Sequence, residues 1–117
     1  GYKFLNLQYG SSKKAVDHFN ETNGTNIVTT SVDLLKDIEG VAASCAACDL
    51  IVAISSSTVH IAGAIGTPVK LMDANKLWYW GNKQDDHSLW YPSVKIYPRD
   101  NMIAPWDNVI EKVRSEL

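Results

Sequence analysis

The sequence predicts an α/β protein: a three-layer, Rossmann-like parallel sheet with helices on both faces. Short apolar segments rich in β-branched residues alternate along the chain with segments whose apolar residues recur at helical spacing. The predicted order is βαβαβαβ, then a long connection, one more strand and a closing helix. Such regular alternation favours parallel strands joined by right-handed crossovers.

The first half of the chain supplies two strands and two helices. Tyr2–Tyr9 and Asn26–Thr30 are predicted as strands. Between them, Lys13–Thr22 is predicted as a helix, which Asn23-Gly24 ends. A second helix is indicated by apolar residues in an i, i+4, i+7 pattern, namely Leu34, Ile38, Val41, Cys45 and Cys48.

The middle of the chain, residues 49–68, has the most informative pattern. The apolar run Leu50–Ile54 is typical of a strand covered on both faces. The hydroxyl residues Ser55–Thr58 follow, and any of them can cap a helix predicted over Val59–Ile65. Gly66 ends this helix and Pro68 opens the next strand. The small residues Ala62, Gly63 and Ala64 predict close packing of the helix against the sheet.

This middle segment predicts an anion site. A helix that begins at the carboxyl edge of a parallel sheet offers free backbone N–H groups and the positive end of its dipole, and phosphate is the anion most often bound there. The candidate ligands are Ser55, Ser56, Ser57, Thr58 and His60. Serine and threonine also cap helices that bind nothing, and a histidine in a first turn is commonly a packing or surface residue.

The second half adds two strands, Val69–Met72 and Val94–Tyr97, and a closing helix with Pro105 at its first position. One face of that helix is predicted to be apolar and comprises Trp106, Val109, Ile110, Val113 and Leu117.

Asp73–Pro92 is a long connection that holds two aromatic clusters, Leu77–Gly81 and Leu89–Pro92. Their rings are suited to stacking on a base or a sugar, or to anchoring the loop. Asp85-Asp86-His87 resembles a metal or acid/base cluster, although a solvated loop tip explains it as well.

Size and composition limit the possible functions. The 117 residues, 45% hydrophobic and 21% charged, predict one domain over residues 1–117. A net charge of −2 disfavours nucleic acid and membrane surfaces as partners, and no apolar run is long enough to span a bilayer. There is neither a Gly-x-Gly-x-x-Gly fingerprint nor a P-loop. The start at Gly1-Tyr2 predicts a domain cut from a longer, two-domain protein.

The Cys45-Ala-Ala-Cys48 spacing allows a redox pair or half a zinc site. However, the pair is predicted at the end of a helix rather than at its beginning, and no second pair completes a zinc site. Small buried core residues are the preferred interpretation. Free thiols suit a cytoplasmic location.

Three blocks resemble the heptosyltransferase-like glycosyltransferases, especially bacterial members fused to tetratricopeptide repeats. Residues 49–68 are similar to the family's "DLVIS … HLAGALG-x-P" block. Asn6–Gly10 is similar to its "SLQKG" strand end. Leu77–Gly81, Leu89–Ser93 and Trp106 are similar to its "DWRWG … SPWYPS … W" tail. The blocks occur in the family's order over nearly the whole chain.

The resemblance implies the C-terminal, donor-binding half of a GT-B glycosyltransferase. It implies a nucleotide sugar as substrate, no metal or cofactor, and an N-terminal domain as partner that supplies the general base. The donor diphosphate would lie at Ser55–Thr58 and His60, and the base and ribose near Asp33, Leu34 and Leu35. The edge of the cleft would include Gln8, Gly10, Trp78 and Trp80.

The chain departs from the family's charged positions. Ser55 replaces an Asp or Asn, Tyr9 a Lys, Leu77 an Asp and Tyr79 an Arg. Two further functions are therefore considered: a catalytically silent binding or interaction module of the same fold, and a free-standing phosphate binder of the flavodoxin-like kind.

Overall fold

A computed structural model of the chain describes residues 1–10, 12–74, 78–81 and 86–117. Its elements are β1 (Leu5–Asn6), α1 (Ser12–Asn23), β2 (Val28–Thr29), α2 (Ile38–Ala46), β3 (Ile51–Ile54), α3 (Ser57–Ile65), β4 (Val69–Asp73), a 3₁₀ turn (Trp78–Trp80), β5 (Val94–Pro98) and α4 (Asp107–Ser115). They form two compact units, Gly1–Ser44 and Cys45–Leu117, that divide within α2. All strand pairs between these elements are parallel, which confirms the α/β class and is compatible with a Rossmann-like three-layer fold.

The strand pair of the first unit is shorter than the predicted Tyr2–Tyr9 and Asn26–Thr30. Leu5 and Asn6 pair with Val28 and Thr29. Beyond Asn6, its side-chain Oδ1 accepts the Gln8 N–H at 3.0 Å, so the backbone turns away from the ladder. The Asn20 side chain bonds both backbone groups of Ile27, accepting its N–H at 2.9 Å and donating to its carbonyl at 3.0 Å.

Helix α2 begins four residues after the start of the predicted apolar pattern. The Asp33 carboxylate accepts the N–H groups of Leu35 and Lys36 at 3.0 and 3.1 Å, which makes a turn where Leu34 was predicted to be helical. Asp37 then caps α2 by accepting the Gly40 N–H at 2.8 Å. Local carboxylates therefore set the start of the helix, although the apolar spacing extends beyond it.

The second unit contains a parallel sheet in the order β3-β4-β5. Ile51, Val69 and Val94 lie side by side in register and are buried. On the opposite face, Tyr97 packs with Val109 and Val113 of α4, and half-buried Met72 and Trp106 border this cluster. Helix α3 packs against β3 and β4. Strand β5 therefore buries apolar side chains on both faces, whereas the prediction that β3 is covered on both faces is wrong: Val52 and Ile54, on the face opposite Ile51, are 45% and 57% exposed.

The start of the closing helix differs from the prediction, whereas the end of α3 agrees with it. Helix α4 begins at Asp107 rather than at Pro105, with Trp106 at the N-cap. Of its predicted apolar face, Val109 and Val113 are buried, whereas Ile110 and Leu117 are about half exposed. Helix α3 ends at Gly66 as predicted; a φ of 84° there favours glycine, and its N–H bonds the Ala62 and Gly63 carbonyls.

Within the described ranges, no helix is long and apolar enough to cross a membrane.

Candidate functional site

The carboxyl ends of β3, β4 and β5 share one edge of the sheet because the strands are parallel. Ser55 follows β3, Ala74 follows β4 and Arg99 follows β5 at this edge. Helix α3 starts at Ser57, two residues after Ser55, so its N-terminus points to the same edge. Ligands of open parallel sheets bind at this edge.

The first turn of α3 receives no cap from its own N-cap side chain. Ser56 occupies the N-cap position with extended backbone (φ −160°, ψ 168°) and makes no side-chain cap hydrogen bond. Ser57 is exposed and Thr58 is buried. Since the first N–H groups of a helix have no partner within the helix, those of α3 are suited to bind an added anion.

Ser55, a predicted diphosphate ligand, holds an aromatic side chain. Its Oγ accepts a hydrogen bond from Trp80 Nε1 at 3.0 Å. The Trp80 ring is 1% exposed and is the largest fully buried side chain among the described residues. Because an indole N–H needs a partner when it is buried, Ser55 stabilises the position of Trp80.

His60, another predicted diphosphate ligand, packs against Trp80 and a second aromatic ring, that of Tyr91. Its imidazole stacks on Trp80, with ring centroids 4.5 Å apart and planes inclined by 23°. His60 Nδ1 lies 3.1 Å from the Tyr91 hydroxyl, which makes a hydrogen bond whose direction depends on the tautomer. Trp80 therefore bonds Ser55, just before α3, and Tyr91 bonds His60 within α3. These four residues are named the aromatic latch.

Gly63 of α3 lies directly against Tyr91 of the aromatic latch. A Cβ atom at Gly63 would lie 2.5 Å from Tyr91 Cγ. The sequence predicts that Ala62, Gly63 and Ala64 lie against the sheet. In the structure Ala62 is buried, Gly63 faces Tyr91 and Ala64 is exposed, so the glycine makes room for a loop residue instead.

The residues predicted for the base and ribose belong to the first unit, as do Gln8 and Gly10. Asp33 accepts two backbone N–H groups, Leu34 is half-buried, and Leu35 is 66% exposed. Gln8 and Gly10 line a shallow depression of about 650 Å³. Its other lining residues include Asn6, Ser12, Val16 and Phe19.

Trp78 and Trp80, predicted at the cleft edge, differ in exposure. Trp78 is 79% exposed, whereas Trp80 is buried in the aromatic latch. Leu77 lies outside the described residues, as does Asp85 of the predicted acidic cluster.

The remaining part of that cluster is an exposed pair. Asp86 Oδ1 lies 2.9 Å from His87 Nδ1, and this hydrogen bond lowers the pKa of the Asp86 carboxyl. Over the residues that the structure describes, no three His, Cys, Asp or Glu side chains are placed to hold a metal ion.

The two cysteines are free thiols in the structure. Cys45 is fully buried and Cys48 is half-buried. Burial is the main cause that raises the pKa of both thiols, which disfavours the reactive thiolate. Their environment agrees with the core interpretation for Cys45.

Sequence reasoning missed the roles of Tyr91 and Arg99. Tyr91 was noted within an aromatic cluster, but not as the partner of His60. The Arg99 guanidinium lies 4.6 Å from the centre of the Trp106 ring and donates through Nε to the Ala104 carbonyl. Arg99 places a positive charge beside the carboxyl ends of the strands. The position of Arg99 directly after β5 could have indicated this charge from the sequence.

Comparison with known proteins gives one similarity that relates the chain to part of a longer protein. No protein-family profile and no solved structure match it. The chain is 32% identical over 118 residues to Protein FlbA of Caulobacter vibrioides, and the alignment includes all of this chain. It spans 19% of the length of FlbA.

Proposed function

We propose that the chain is the donor-binding half of a glycosyltransferase and that it holds the diphosphate of a nucleotide sugar at the start of α3. The single observation that supports this proposal most strongly is the first turn of α3: it opens at the carboxyl edge of a parallel sheet and has no side-chain cap from Ser56. The resemblance of residues 49–68 to the family's donor block supplies the class of substrate.

The proposal revises how the predicted residues act. The backbone N–H groups at Ser57 and Thr58 would contact the diphosphate, since Ser55 and His60 already belong to the aromatic latch. Helix dipole and amides would stabilise the leaving diphosphate without a metal. The general base would come from an N-terminal domain of the same protein. The two free thiols of this chain, Cys45 and Cys48, suit the reducing cytoplasm.

Titration of UDP-, ADP- and GDP-sugars by ¹⁵N NMR tests the proposal. We expect the amide signals of Ser56–Thr58 to shift at millimolar ligand. Ser57→Asp is the sharpest variant, because its carboxylate favours the helix N-terminus by about 0.3–1 kcal/mol but repels a diphosphate. Loss of binding with unchanged or higher stability supports the site.

Asn108→Asp is the matched control. It adds one negative charge to the exposed first turn of α4 and should leave donor binding unchanged. If nucleotide sugars shift no signal in the wild-type chain, or if both variants lose binding equally, the donor site is wrong.

The second candidate function is a catalytically silent binding module of the same fold. One observation favours it: two of the five predicted ligands, Ser55 and His60, are already bonded to aromatic side chains of the protein itself. The charged positions that the family has at Ser55, Tyr9 and Tyr79 are also lost.

Ser55→Asp combined with Tyr9→Lys restores two of those positions, and aspartate can still accept the Trp80 N–H. Donor hydrolysis by the full-length protein should appear in the wild type or rise in the double variant if the domain serves an enzyme. Hydrolysis in neither protein would favour the silent module.

A further inference from the structure

Two tryptophan side chains on the connection between β4 and β5 are exposed side by side. Trp78 is 79% exposed and Trp90 is 57% exposed. Their ring centroids are 6.2 Å apart and their planes are inclined by 81°. This pair is named the indole corner.

The indole corner is mounted on the aromatic latch. Trp78 packs edge to face on Tyr79 at 5.5 Å, and Trp90 does the same on Tyr91 at 6.4 Å. Behind them Trp80 is buried and bonded to Ser55. Ser88 Oγ also accepts the N–H groups of Trp90 and Tyr91, each at 3.2 Å. The two exposed rings are therefore held before any ligand arrives, which reduces the entropy that binding must overcome.

The exposed apolar surface at the indole corner is large enough to hold a sugar ring. Besides the two indoles it includes Leu89 of the same segment, which is 70% exposed. An aromatic side chain buries about 150–250 Å². Two such rings are therefore large enough to cover one face of a sugar ring.

The angle between the rings favours a sugar over a nucleobase. A planar base is bound best in a slot between parallel rings, whereas these planes are nearly perpendicular. A pyranose chair has one apolar C–H face, which packs on an aromatic ring, and a rim of hydroxyls. The exposed Asp86 carboxylate on the same segment can accept hydrogen bonds from such hydroxyls.

We propose that Trp78 and Trp90 form a carbohydrate-binding corner that takes a sugar ring of the acceptor. The assignment of this ring to the acceptor rests on the proposed function, because the donor diphosphate lies at the start of α3. The sugar-stacking site itself does not depend on it.

Titration with phosphate-free oligosaccharides tests the corner by itself. Maltotriose, cellotriose and chitotriose are added to the ¹⁵N-labelled chain, and the indole N–H signals are followed. We expect at least one sugar to shift the Trp78 and Trp90 signals and to leave Trp80 in place. Trp78→Ala should weaken binding about two- to tenfold, the usual worth of an aromatic contact, whereas Trp78→Phe keeps a ring and most of the affinity.

Ile103→Ala is the matched control, since Ile103 is 91% exposed and apolar but lies on the segment before α4. The proposal is overturned if no sugar shifts the two indoles at high millimolar concentration, if uridine or adenosine shifts them more strongly than any sugar, or if the shifts follow protein concentration alone.

A second readout separates the two proposals. Nucleotide sugars report on the amides of Ser56–Thr58, and neutral oligosaccharides report on the indole corner. Sugar binding without nucleotide-sugar binding supports the corner and overturns the donor site, together with the acceptor assignment. The reverse result overturns the corner alone.

Discussion

The start of α3 and the end of α4 differ in how side chains bond their polar groups. At the start of α3, Ser56 provides no side-chain cap. At the end of α4, the Glu116 carboxylate accepts from the Tyr97 hydroxyl and from Lys95 Nζ at 2.9 Å, and Lys70 Nζ lies 3.5 Å away. These four residues are named the Tyr97 cluster.

This difference indicates that the polar groups at the end of α4 stabilise the fold. In the Tyr97 cluster three donors surround one carboxylate, and the Tyr97 hydrogen bond, followed by that of Lys95, lowers the pKa of Glu116 to about 2. Such a network holds the end of α4 against β4 and β5. Among the described residues no comparable network lies at the start of α3, and the Ser56 side chain gives its first amides no cap, which is the feature that suits an added anion.

The largest loss of stability is expected when Trp80, which bonds Ser55 just before α3, is removed. Trp80→Ala deletes a ring that is 1% exposed, together with its hydrogen bond to Ser55. We expect a loss of about 3–5 kcal/mol in the free energy of unfolding, measured in urea. Trp78→Ala is the control and should cost less than about 0.5 kcal/mol, because Trp78 is exposed. Equal losses would contradict the aromatic latch.

A larger side chain at Gly63 should displace Tyr91 of the aromatic latch from α3. Gly63→Val places atoms within the space of the Tyr91 ring and should cost about 1–3 kcal/mol in unfolding free energy. Ala64→Val, at an exposed position of the same helix, should cost less. In a Tyr91→Ala background the penalty at Gly63 should shrink. An undiminished penalty there would mean that the glycine contacts the sheet instead.

Acid should weaken the Tyr97 cluster at the end of α4. The pKa of Glu116 falls from an ordinary 4.5 to about 2 on folding. Its stabilisation is therefore fully present above about pH 4.5 and is lost as the pH falls towards 2. Tyr97→Phe should raise the Glu116 pKa, measured by carboxyl ¹³C NMR. The difference in unfolding free energy between wild type and Glu116→Gln should shrink over the same pH range.

The smallest effect is expected from an ion pair on the outside of α4. Arg114 bonds Glu111 through two nitrogens at 3.0 and 2.7 Å, but both side chains are well exposed. Solvent and salt screen such pairs. Glu111→Gln should leave the urea midpoint within experimental error, whereas Glu116→Gln lowers it at neutral pH. Equal shifts would remove the contrast between a saturated network and a surface pair.

The order of elements could be predicted because it depends on apolar periodicity and on strong local signals. Gly66 ended α3 as expected, and Leu50–Ile54 differed from β3 by one residue. The ends of other elements could not be predicted, since they depend on which backbone groups a side chain binds. Asn6, Asn20, Asp33 and Asp37 each bind nearby amides and shorten an element.

The position of the α3 N-terminus at the carboxyl edge of the sheet was predictable, but the contacts of the side chains around it were not. Hydroxyls followed by small residues after a buried strand indicate a helix N-terminus at a sheet edge. Ser55 and His60, however, bond Trp80 and Tyr91, which lie 25 and 31 residues away in the sequence. No local pattern states which ring of an aromatic loop returns to which helix.

The use of Asn20 in the first unit has a practical consequence for producing the protein. Asn20 and Asn23 both begin Asn-x-Thr triplets, which a eukaryotic secretory pathway can glycosylate. In the fold, however, the amide nitrogen of Asn20 donates to the Ile27 carbonyl and that of Asn23 to the Phe19 carbonyl. A glycan replaces one hydrogen of either nitrogen, so the remaining N–H has to keep the bond that shapes the turn; Thr22→Ala and Thr25→Ala would remove both triplets for secretion from yeast or insect cells.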